Sequence, residues 1–171
     1  LPEQSANFPG QLGSKMRSLD GKILSSNFVF SDKKIEESSV ILIYSDESLE
    51  QTYTLTISAF DDSNTLTLSA KIDSKKPIFM DWFSAPVIQA PQNSNEMIDY
   101  GGQWSGEFRS QKTPWVTGAH FRESRSGTTS HANFPGLLIP TVGSSENSGS
   151  CYGLHYGWSG GHRMIAEQLP D

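Results

Sequence analysis

The strongest pattern along the chain is an alternation of apolar and polar residues at every second position between residues 23 and 83. Such alternation is typical of β-strands that bury one face. It is clearest at 52–60 (TYTLTISAF) and 65–72 (TLTLSAKI), which are separated by the turn-forming residues 61–64 (DDSN). We therefore predict a β-hairpin with one face in the core and a threonine-rich face toward solvent.

Other strands are predicted from apolar runs that polar or glycine- and proline-rich stretches bound. The run 40–44 (VILIY) has the length of a strand buried on both faces, and polar turns are predicted at 31–34 and 46–48. In the second half, strands are predicted at 103–109, 116–124, 151–158 and 163–169, with loops at 93–95 and 141–150. Sustained helical periodicity is lacking. The sequence thus predicts an all-β fold, an antiparallel β-sandwich.

Composition and charge narrow the function classes. Thirteen basic residues stand against 19 acidic ones, for a formal net charge of −6, which argues against a nucleic-acid-binding surface. No apolar run reaches the roughly 18 residues of a transmembrane helix, so neither nucleic acid nor a membrane is expected as a partner. The single cysteine, Cys151, excludes an internal disulfide and is predicted to be a buried structural side chain. One cysteine does not indicate the cellular compartment of the protein, and we expect the protein to lie in the cytoplasm.

The ends of the chain suggest a segment of a longer protein. The sequence begins at Leu1 without a methionine, ends with the residues LPD, and lacks a signal-peptide pattern in residues 1–10. Its 171 residues suit one domain or part of a larger one.

Candidate chemistry lies in the second half, which holds all four histidines and all four tryptophans. No histidine pair has the spacing of a metal site, so the histidines are predicted to lie scattered in loops, and no metal or other cofactor is expected. Ser130 and His131 are adjacent and would point to opposite faces of a strand. Cys151 and His155 would be about 13 Å apart at a rise of about 3.3 Å per residue. Neither pair makes a credible nucleophilic dyad.

The carboxylates and aromatic rings of the second half each allow two roles, one functional and one structural. Glycosidases set two carboxylates about 5–5.5 Å or 6.5–9.5 Å apart, which the sequence cannot establish for Asp81, Asp99, Glu107 and Glu123. The alternative is edge or turn carboxylates paired with arginines, namely Arg109, Arg122 and Arg125. Aromatic rings stack on the apolar faces of sugars. The rings that could do so, or could instead pack between the sheets, are Trp104, Trp115, Tyr156 and Trp158.

Three segments together resemble family 36 α-galactosidases. Residues 123–138 (ESRSGTTSHANFPGLL) resemble the family's Ser-Arg-x-Gly-x-Ser-Ser-His followed by Asn-Pro-Phe. Residues 152–160 (YGLHYGWSG) are similar to its Tyr-Gly-(apolar)-x-(apolar)-x-Tyr-Ser-Gly-Asn, and 101–107 (GGQWSGE) to its Ser-Gly-Ala-Trp-x-x-Glu. The resemblance covers roughly 99–171, and before it only the strand pattern agrees.

The departures from the family pattern indicate a divergent branch. Residues 133–135 are Asn-Phe-Pro where the family commonly has Asn-Pro-Phe. Thr129 replaces the first serine of Ser-Ser-His, and Trp158 and Gly161 replace the usual tyrosine and asparagine. The resemblance therefore does not indicate which sugar this protein prefers.

The resemblance implies a domain without catalytic residues. Family members have an N-terminal β-supersandwich, a (β/α)8 barrel with two catalytic aspartates, and a C-terminal β-domain. The three segments lie in the supersandwich, so residues 1–171 would be one β-sandwich domain or fragment of it, N-terminal to a barrel that this chain lacks. The parent enzyme would hydrolyse terminal α-galactosides with retention. Its partners would be α-galactoside sugars, its own barrel and, in oligomeric members, further copies.

The supersandwich of such enzymes packs on the barrel and can lend loops to the rim of the active site. In this chain the loop 125–134 is the candidate, because Gly127 permits a tight turn and side chains such as His131 and Asn133 can hydrogen-bond sugar hydroxyls. The predicted rim residues are Trp104, Arg125, His131, Asn133 and Trp158. Arg125 and His131 could instead pin the loop to the sandwich.

Two further hypotheses stay open at this point: a freestanding carbohydrate-binding β-sandwich module, and a purely structural or oligomerisation domain without sugar contact.

Overall fold

A computed structural model of the protein describes residues 13–61, 63–84, 87–125, 132–158 and 160–169. These residues form thirteen β-strands and, within the described ranges, no helix. The strands are β1 (Ser14–Ser18), β2 (Ile23–Leu24), β3 (Val29–Ile35), β4 (Ser39–Asp46), β5 (Gln51–Ala59), β6 (Leu66–Ser74), β7 (Ile78–Phe83), β8 (Glu96–Gly101), β9 (Arg109–Pro114), β10 (Gly118–Ser124), β11 (Gly136–Pro140), β12 (Cys151–His155) and β13 (His162–Gln168). The predicted all-β class is confirmed. Within the same ranges, no helix has the length and apolar character needed to cross a membrane.

The chain forms two compact units, one up to Ile88 and the other from Gln89 on. Unit 1 contains a three-stranded sheet in the order β2-β1-β7 and a four-stranded sheet in the order β3-β4-β5-β6. Unit 2 contains a four-stranded sheet in the order β12-β11-β8-β9 and the pair β10-β13. Neighbouring strands are antiparallel throughout both units.

The predicted hairpin is strands β5 and β6. Leu55 pairs with Ala70 and Ile57 with Leu68, and directly opposed residues of antiparallel strands share a face. The amide of Ser63 donates to the carbonyl of Phe60 at 3.2 Å in the connecting turn. The alternation of apolar and polar residues therefore predicted both strands and the residues that share a face. The apolar face, predicted to lie in the core, is only partly buried, and Leu66 is 61% exposed.

The strand predicted at 40–44 is present as part of β4, but the turn predicted at 31–34 was wrong. The apolar run 40–44 lies inside β4 and is only partly buried, not buried on both faces. Residues 31–34, predicted as a turn, belong to β3, where a bulge between Phe30 and Asp32 shifts the register. Pairing with the apolar strand β4 outweighs the low local strand propensity of this polar run. The turn at 46–48 is confirmed, since Ser48 Oγ donates to Asp46 Oδ1 at 2.6 Å.

The two sheets of unit 2 face each other as a β-sandwich. Its core consists of Met97 on β8 with Leu137 and Ile139 on β11, all buried. Partly buried residues pack against it, among them Met164 and Ala166 of β13, and also Ala90, Trp115 and Leu154. Apolar side chains from both sheets therefore meet in one core, as the predicted sandwich requires.

Strands β10, β12 and β13 confirm three of the four strands predicted in the second half, and the loop at 141–150 lies between β11 and β12. The strand predicted at 103–109 was wrong. That segment is a turn in which Ser105 and Phe108 have φ values of 67° and 61°, and the strands β8 and β9 lie on either side of it.

Candidate functional site

The three segments that carry the family resemblance meet in unit 2. The amide of Phe134 donates to the carbonyl of Tyr100, at the end of β8, over 3.1 Å. The amide of Tyr156, just after β12, donates to the carbonyl of Pro135 over 2.8 Å. We call this meeting point, formed by residues 100–108, 132–136 and 154–158, the loop junction. Main-chain hydrogen bonds fix the paths of its segments relative to one another.

Aromatic rings fill the loop junction around Phe134. The Phe134 ring lies edge-on to Phe108 with ring centres 4.6 Å apart, stacks on His155 at 5.4 Å, and is 6.3 Å from Tyr100. Gly136 leaves space for this ring, because a Cβ there would lie 2.5 Å from Phe134 Cε1. The glycine after the Asn-Phe-Pro sequence is therefore required by packing.

The turn that bears Trp104 is held by backbone contacts. Gly102 has φ +149°, and a Cβ there would lie 2.9 Å from the Cα of Glu107. The amide of Gly106 donates to the carbonyl of Gln103 at 2.8 Å, and the amide of Ser105 donates to Glu107 Oε1 at 3.0 Å. A glycine at 102 thus permits the close approach that folds this turn back on itself.

Two of the predicted rim residues are exposed aromatic side chains on the loop junction. Trp104 is 86% exposed and Trp158 is 55% exposed. The amide of Trp158 donates to the carbonyl of Tyr156 at 2.9 Å. Exposed indoles on a fixed backbone have the chemistry needed to stack on the C–H face of a sugar.

Two of the other predicted rim residues, Arg125 and Asn133, lie at the base of the 125–134 loop. Asn133 Nδ2 donates to the main-chain carbonyl of Glu123 at 2.8 Å, which ties the returning chain to β10. Arg125 forms an ion pair with Glu123 while its side chain stays 80% exposed. Arg163 Nη2 lies 2.6 Å from the same carboxylate. Hydrogen bonds from Arg125 and then Arg163 lower the pKa of Glu123. His131 and most of this loop lie outside the described residues.

A buried charged network lies between the two sheets of unit 2. Asp99 on β8 is 0% exposed. Its carboxylate oxygens lie 2.8 Å from His120 Nε2 and 2.9 Å from Arg122 Nη2, both on β10. Arg122 also donates to Gln111 on β9. The predicted pairing of these carboxylates with arginines is confirmed for Asp99, but this residue lies in the interior and not at an edge or in a turn.

Comparison with known proteins identifies the family. Residues 3–171 match the glycosyl hydrolase family 36 N-terminal domain. The chain belongs to this family. It is 36% identical over 87 residues to an alpha-galactosidase of Escherichia coli, a match that covers 51% of this chain and 12% of the relative. It is 25% identical over 142 residues to the bifunctional alpha-galactosidase/sucrose kinase AgaSK of Mediterraneibacter gnavus, covering 82% of this chain and 15% of the relative.

Solved structures share the fold of this family 36 N-terminal domain. The alpha-galactosidase AgaB of Geobacillus stearothermophilus superposes with a TM-score of 0.85 at 18% identity, over 98% of this chain and 26% of that one. The galactosidase domain of AgaSK gives 0.83 at 20% identity, over 97% of this chain and 26% of that one. The chain therefore spans about a quarter of these structures and a smaller share of the curated relatives.

Several predictions for the family 36 domain need correction. Cys151, predicted to be buried, is an exposed free thiol on β12. His120, His155 and His162, predicted in loops, lie on strands, and His162 is buried. Only the tertiary fold determines which strands are interior, so sequence reasoning could not locate the Asp99 network. Among the described residues, no group of three histidine, cysteine or acidic side chains could hold a metal ion.

Proposed function

We propose that this chain is the non-catalytic N-terminal domain of a longer α-galactosidase, which hydrolyses terminal α-galactosides with retention of configuration. The observation that carries the proposal is the family 36 match along residues 3–171. The three motif segments add support because they converge on one loop junction. Relatives that match this chain are described as alpha-galactosidases.

The carboxylates of the chain support a non-catalytic role. A retaining glycosidase needs one carboxylate to attack the anomeric carbon and a second, about 5–5.5 Å away, to protonate the leaving oxygen and then activate water. Arginine side chains instead engage Asp81, Asp99 and Glu123. Glu107 accepts a backbone hydrogen bond within its own turn. The catalytic pair is therefore assigned to a barrel outside these residues.

The proposed contribution of this domain is to pack on that barrel and to support the rim of the active site. The exposed indoles of Trp104 and Trp158 on the loop junction are the described groups best suited to touch a sugar. Arg125 and Asn133 hold the base of the neighbouring loop. Variants of AgaA have been solved in complex with raffinose and with stachyose, and we propose α-galactosides of this class as the substrates here.

The test compares two proteins on a nitrophenyl α-galactoside, with the β-anomer as the control substrate. The longer polypeptide encoded by the gene is expected to release nitrophenol from the α-anomer only. The 171-residue chain is expected to release none from either. Turnover by the 171-residue chain that disappears in Asp99→Asn or Glu123→Gln would overturn the proposal.

A freestanding carbohydrate-binding module is the second candidate, favoured by the exposure of Trp104 and Trp158. A gene that encodes several hundred further residues with alternating strands and helices supports the enzyme domain. A stop codon or a linker after Asp171, together with a change of tryptophan fluorescence on titration with galactose, supports the module.

A further inference from the structure

A cavity of about 250 Å³ lies at one end of the strands of unit 2. Pro114, which ends β9, and Gly118, which begins β10, both line it. The loop junction lies at the other end of β9, where Arg109 pairs with Gly101. The cavity is therefore separate from the candidate site described above and takes no part in the proposed function.

The inner lining of the cavity is mostly apolar. Met97 is 2% exposed, and Trp115 and Ala166 pack against the same core. The indole of Trp115 is held in place, because its Nε1–H donates to Ser94 Oγ at 3.3 Å. Val116, in the outer lining, is 66% exposed. The cavity therefore opens to the surface and leads inward to an aromatic ring and the apolar core.

Two polar side chains point inward among these apolar groups. Thr113 opposes Met97 across β8 and β9, and His120 opposes Ala166 across β10 and β13. Directly opposed residues of antiparallel strands share a face, so both side chains lie on the core side, and both line the cavity. An apolar wall with a few polar groups is typical of a small-molecule site.

A buried carboxylate orients the ring of His120. Its Nε2 lies 2.8 Å from Oδ2 of Asp99, which is 0% exposed and is also bound by Arg122. In the neutral ring the Nε2–H donates to this carboxylate, so Nδ1 keeps its lone pair and is a hydrogen-bond acceptor. The network thus fixes both the tautomer of His120 and the direction of its acceptor.

The acceptor of His120 and the hydroxyl of Thr113 are both available. Within the described residues, neither Nδ1 nor Oγ1 has a hydrogen-bond partner. The buried side-chain atoms without a partner in that part of the chain are Arg122 Nε and both ring nitrogens of His162, so Nδ1 and Oγ1 are accessible. His120 points toward the core and its side chain is 26% exposed, which makes the cavity the route to Nδ1.

We propose that this cavity binds a small, mainly apolar molecule that carries one hydroxyl group, with the chemistry of an aryl alcohol. The ligand hydroxyl donates to Nδ1 of His120 and accepts from the hydroxyl of Thr113. The ligand ring packs on Trp115 and Met97. A cavity of about 150 Å³ holds benzene, so about 250 Å³ accommodates a substituted ring.

A sugar fits this lining less well. A pyranose carries several hydroxyl groups, and each of them needs a partner once it leaves water. The cavity supplies three polar side chains, those of Thr113, Thr117 and His120. The rest of the lining is apolar, apart from the indole nitrogen that Ser94 already binds. One hydroxyl group on an apolar body therefore matches the cavity better.

The test measures binding to the full-length polypeptide by isothermal titration calorimetry at about pH 8, where imidazole side chains are normally neutral. The probes are phenol, benzene, which lacks only the hydroxyl, and galactose. Phenol is expected to bind with a dissociation constant of roughly 1 mM, the range for a ligand of this size. Benzene is expected to bind about ten-fold more weakly, because it makes no hydrogen bond.

Substitutions locate the site. Ala166→Leu fills the cavity and should weaken phenol binding by about ten-fold or more, whereas Ala59→Leu, at an exposed position of β5, should leave it unchanged. His120→Phe keeps a ring and removes the acceptor, so phenol should then bind no better than benzene. Thr113→Val removes the hydroxyl and should narrow the preference for phenol, which serves as the test if His120→Phe does not fold.

Absence of phenol binding, or equal affinities for phenol and benzene, would overturn the inference. Phenol binding that survives Ala166→Leu would place the ligand elsewhere and would overturn it too. Galactose binding that Ala166→Leu abolishes would overturn it in favour of a sugar site. Each of these outcomes is independent of α-galactosidase activity, so the proposed function succeeds or fails by its own test.

Discussion

Arg122 Nη2 lies 2.9 Å from Oδ1 of Asp99 and joins the two sheets of unit 2 across their buried interface. His120 reaches the other carboxylate oxygen at 2.8 Å. Asp99 is two residues before Gly101 and Arg122 is three residues before Arg125, so both residues lie on strands that lead into motif segments. Buried ion pairs tolerate loss of one partner poorly, because the remaining charge keeps its desolvation cost.

Replacing this carboxylate should therefore destabilise unit 2 strongly. Asp99→Asn is expected to lower the free energy of unfolding by about 3 kcal/mol, since Arg122, only partly exposed, would keep its charge without its counter-ion. Urea denaturation followed by tryptophan fluorescence measures this. The control is Asp81→Asn, which breaks the exposed pair with Arg17 and should have a much smaller effect. Equal effects of the two substitutions would contradict the assigned role of Asp99.

The packing of Phe134 against Gly136 gives a second prediction. Gly136→Ala places a methyl group 2.5 Å from Phe134 Cε1, and overpacking of this kind costs about 1–3 kcal/mol. The thermal midpoint should fall, and the ring contact of Phe134 with His155 should be lost in NMR spectra. Gly157→Ala is the matched control, because nothing lies within 4 Å of a Cβ there. If Gly157→Ala lowers the midpoint as much, the ring contact is not the cause.

Asp46 gives a prediction for acid stability in unit 1. Its carboxylate accepts hydrogen bonds from Ser48 Oγ at 2.6 Å and from the amide of Asn27 at 2.7 Å, and these lower its pKa below the ordinary 3.8. A lowered folded-state pKa contributes stability that is present above the unfolded pKa and lost as the pH falls through the folded value.

In Asp46→Asn the free energy of unfolding should therefore be lower at pH 7 than in the unaltered protein. It should also fall less steeply as the pH drops below about 4. Urea midpoints at pH 7, 4 and 3 measure this. Glu37→Gln, which removes an exposed carboxylate before β4, is the control for the change in net charge. An Asp46→Asn curve parallel to that of the unaltered protein would rule out the assigned linkage.

The rim assignment predicts a kinetic effect of Trp104. This side chain is 86% exposed, so Trp104→Ala should change the free energy of unfolding by less than about 0.5 kcal/mol. In the longer enzyme it should raise KM for an α-galactoside by about three- to ten-fold, the worth of one aromatic stacking contact, with kcat nearly unchanged.

Steady-state kinetics on nitrophenyl α-galactoside and on raffinose measure this effect of Trp104→Ala. Trp158→Ala tests the second exposed indole in the same way. Trp115→Phe, at an indole that packs against the core of unit 2, should alter stability more than KM. An unchanged KM in both Trp104→Ala and Trp158→Ala would remove these residues from the rim.

The fold was predictable where local pattern and tertiary environment agree. The period-two alternation predicted β5 and β6 and the residues that share a face, because each strand keeps an apolar and a polar face. It failed for β3, where residues 31–34 look like a turn but pair with β4. It also failed at 103–109, since an aromatic-containing segment resembles a strand although the positive φ values of Ser105 and Phe108 break it.

For the candidate site, the sequence predicted which segments take part but not how they meet. The resemblance identified three segments, and the structure brings them together through hydrogen bonds of Phe134 and Tyr156. Every residue except proline has a main-chain amide to donate, so residue type does not show which carbonyl that amide reaches, and the junction itself could not be foreseen. The exposure of Cys151 was missed for a related reason: only the strand order shows that β12 is an edge strand.

The order of two residues in the loop junction determines how this loop is fastened. Residue 134 is phenylalanine where the family pattern has proline, and its amide hydrogen makes the bond to the carbonyl of Tyr100. Proline has no amide hydrogen to donate. A relative with proline at that place must hold the segment to β8 by another contact. The change from Asn-Pro-Phe to Asn-Phe-Pro therefore adds a main-chain hydrogen bond between this loop and β8.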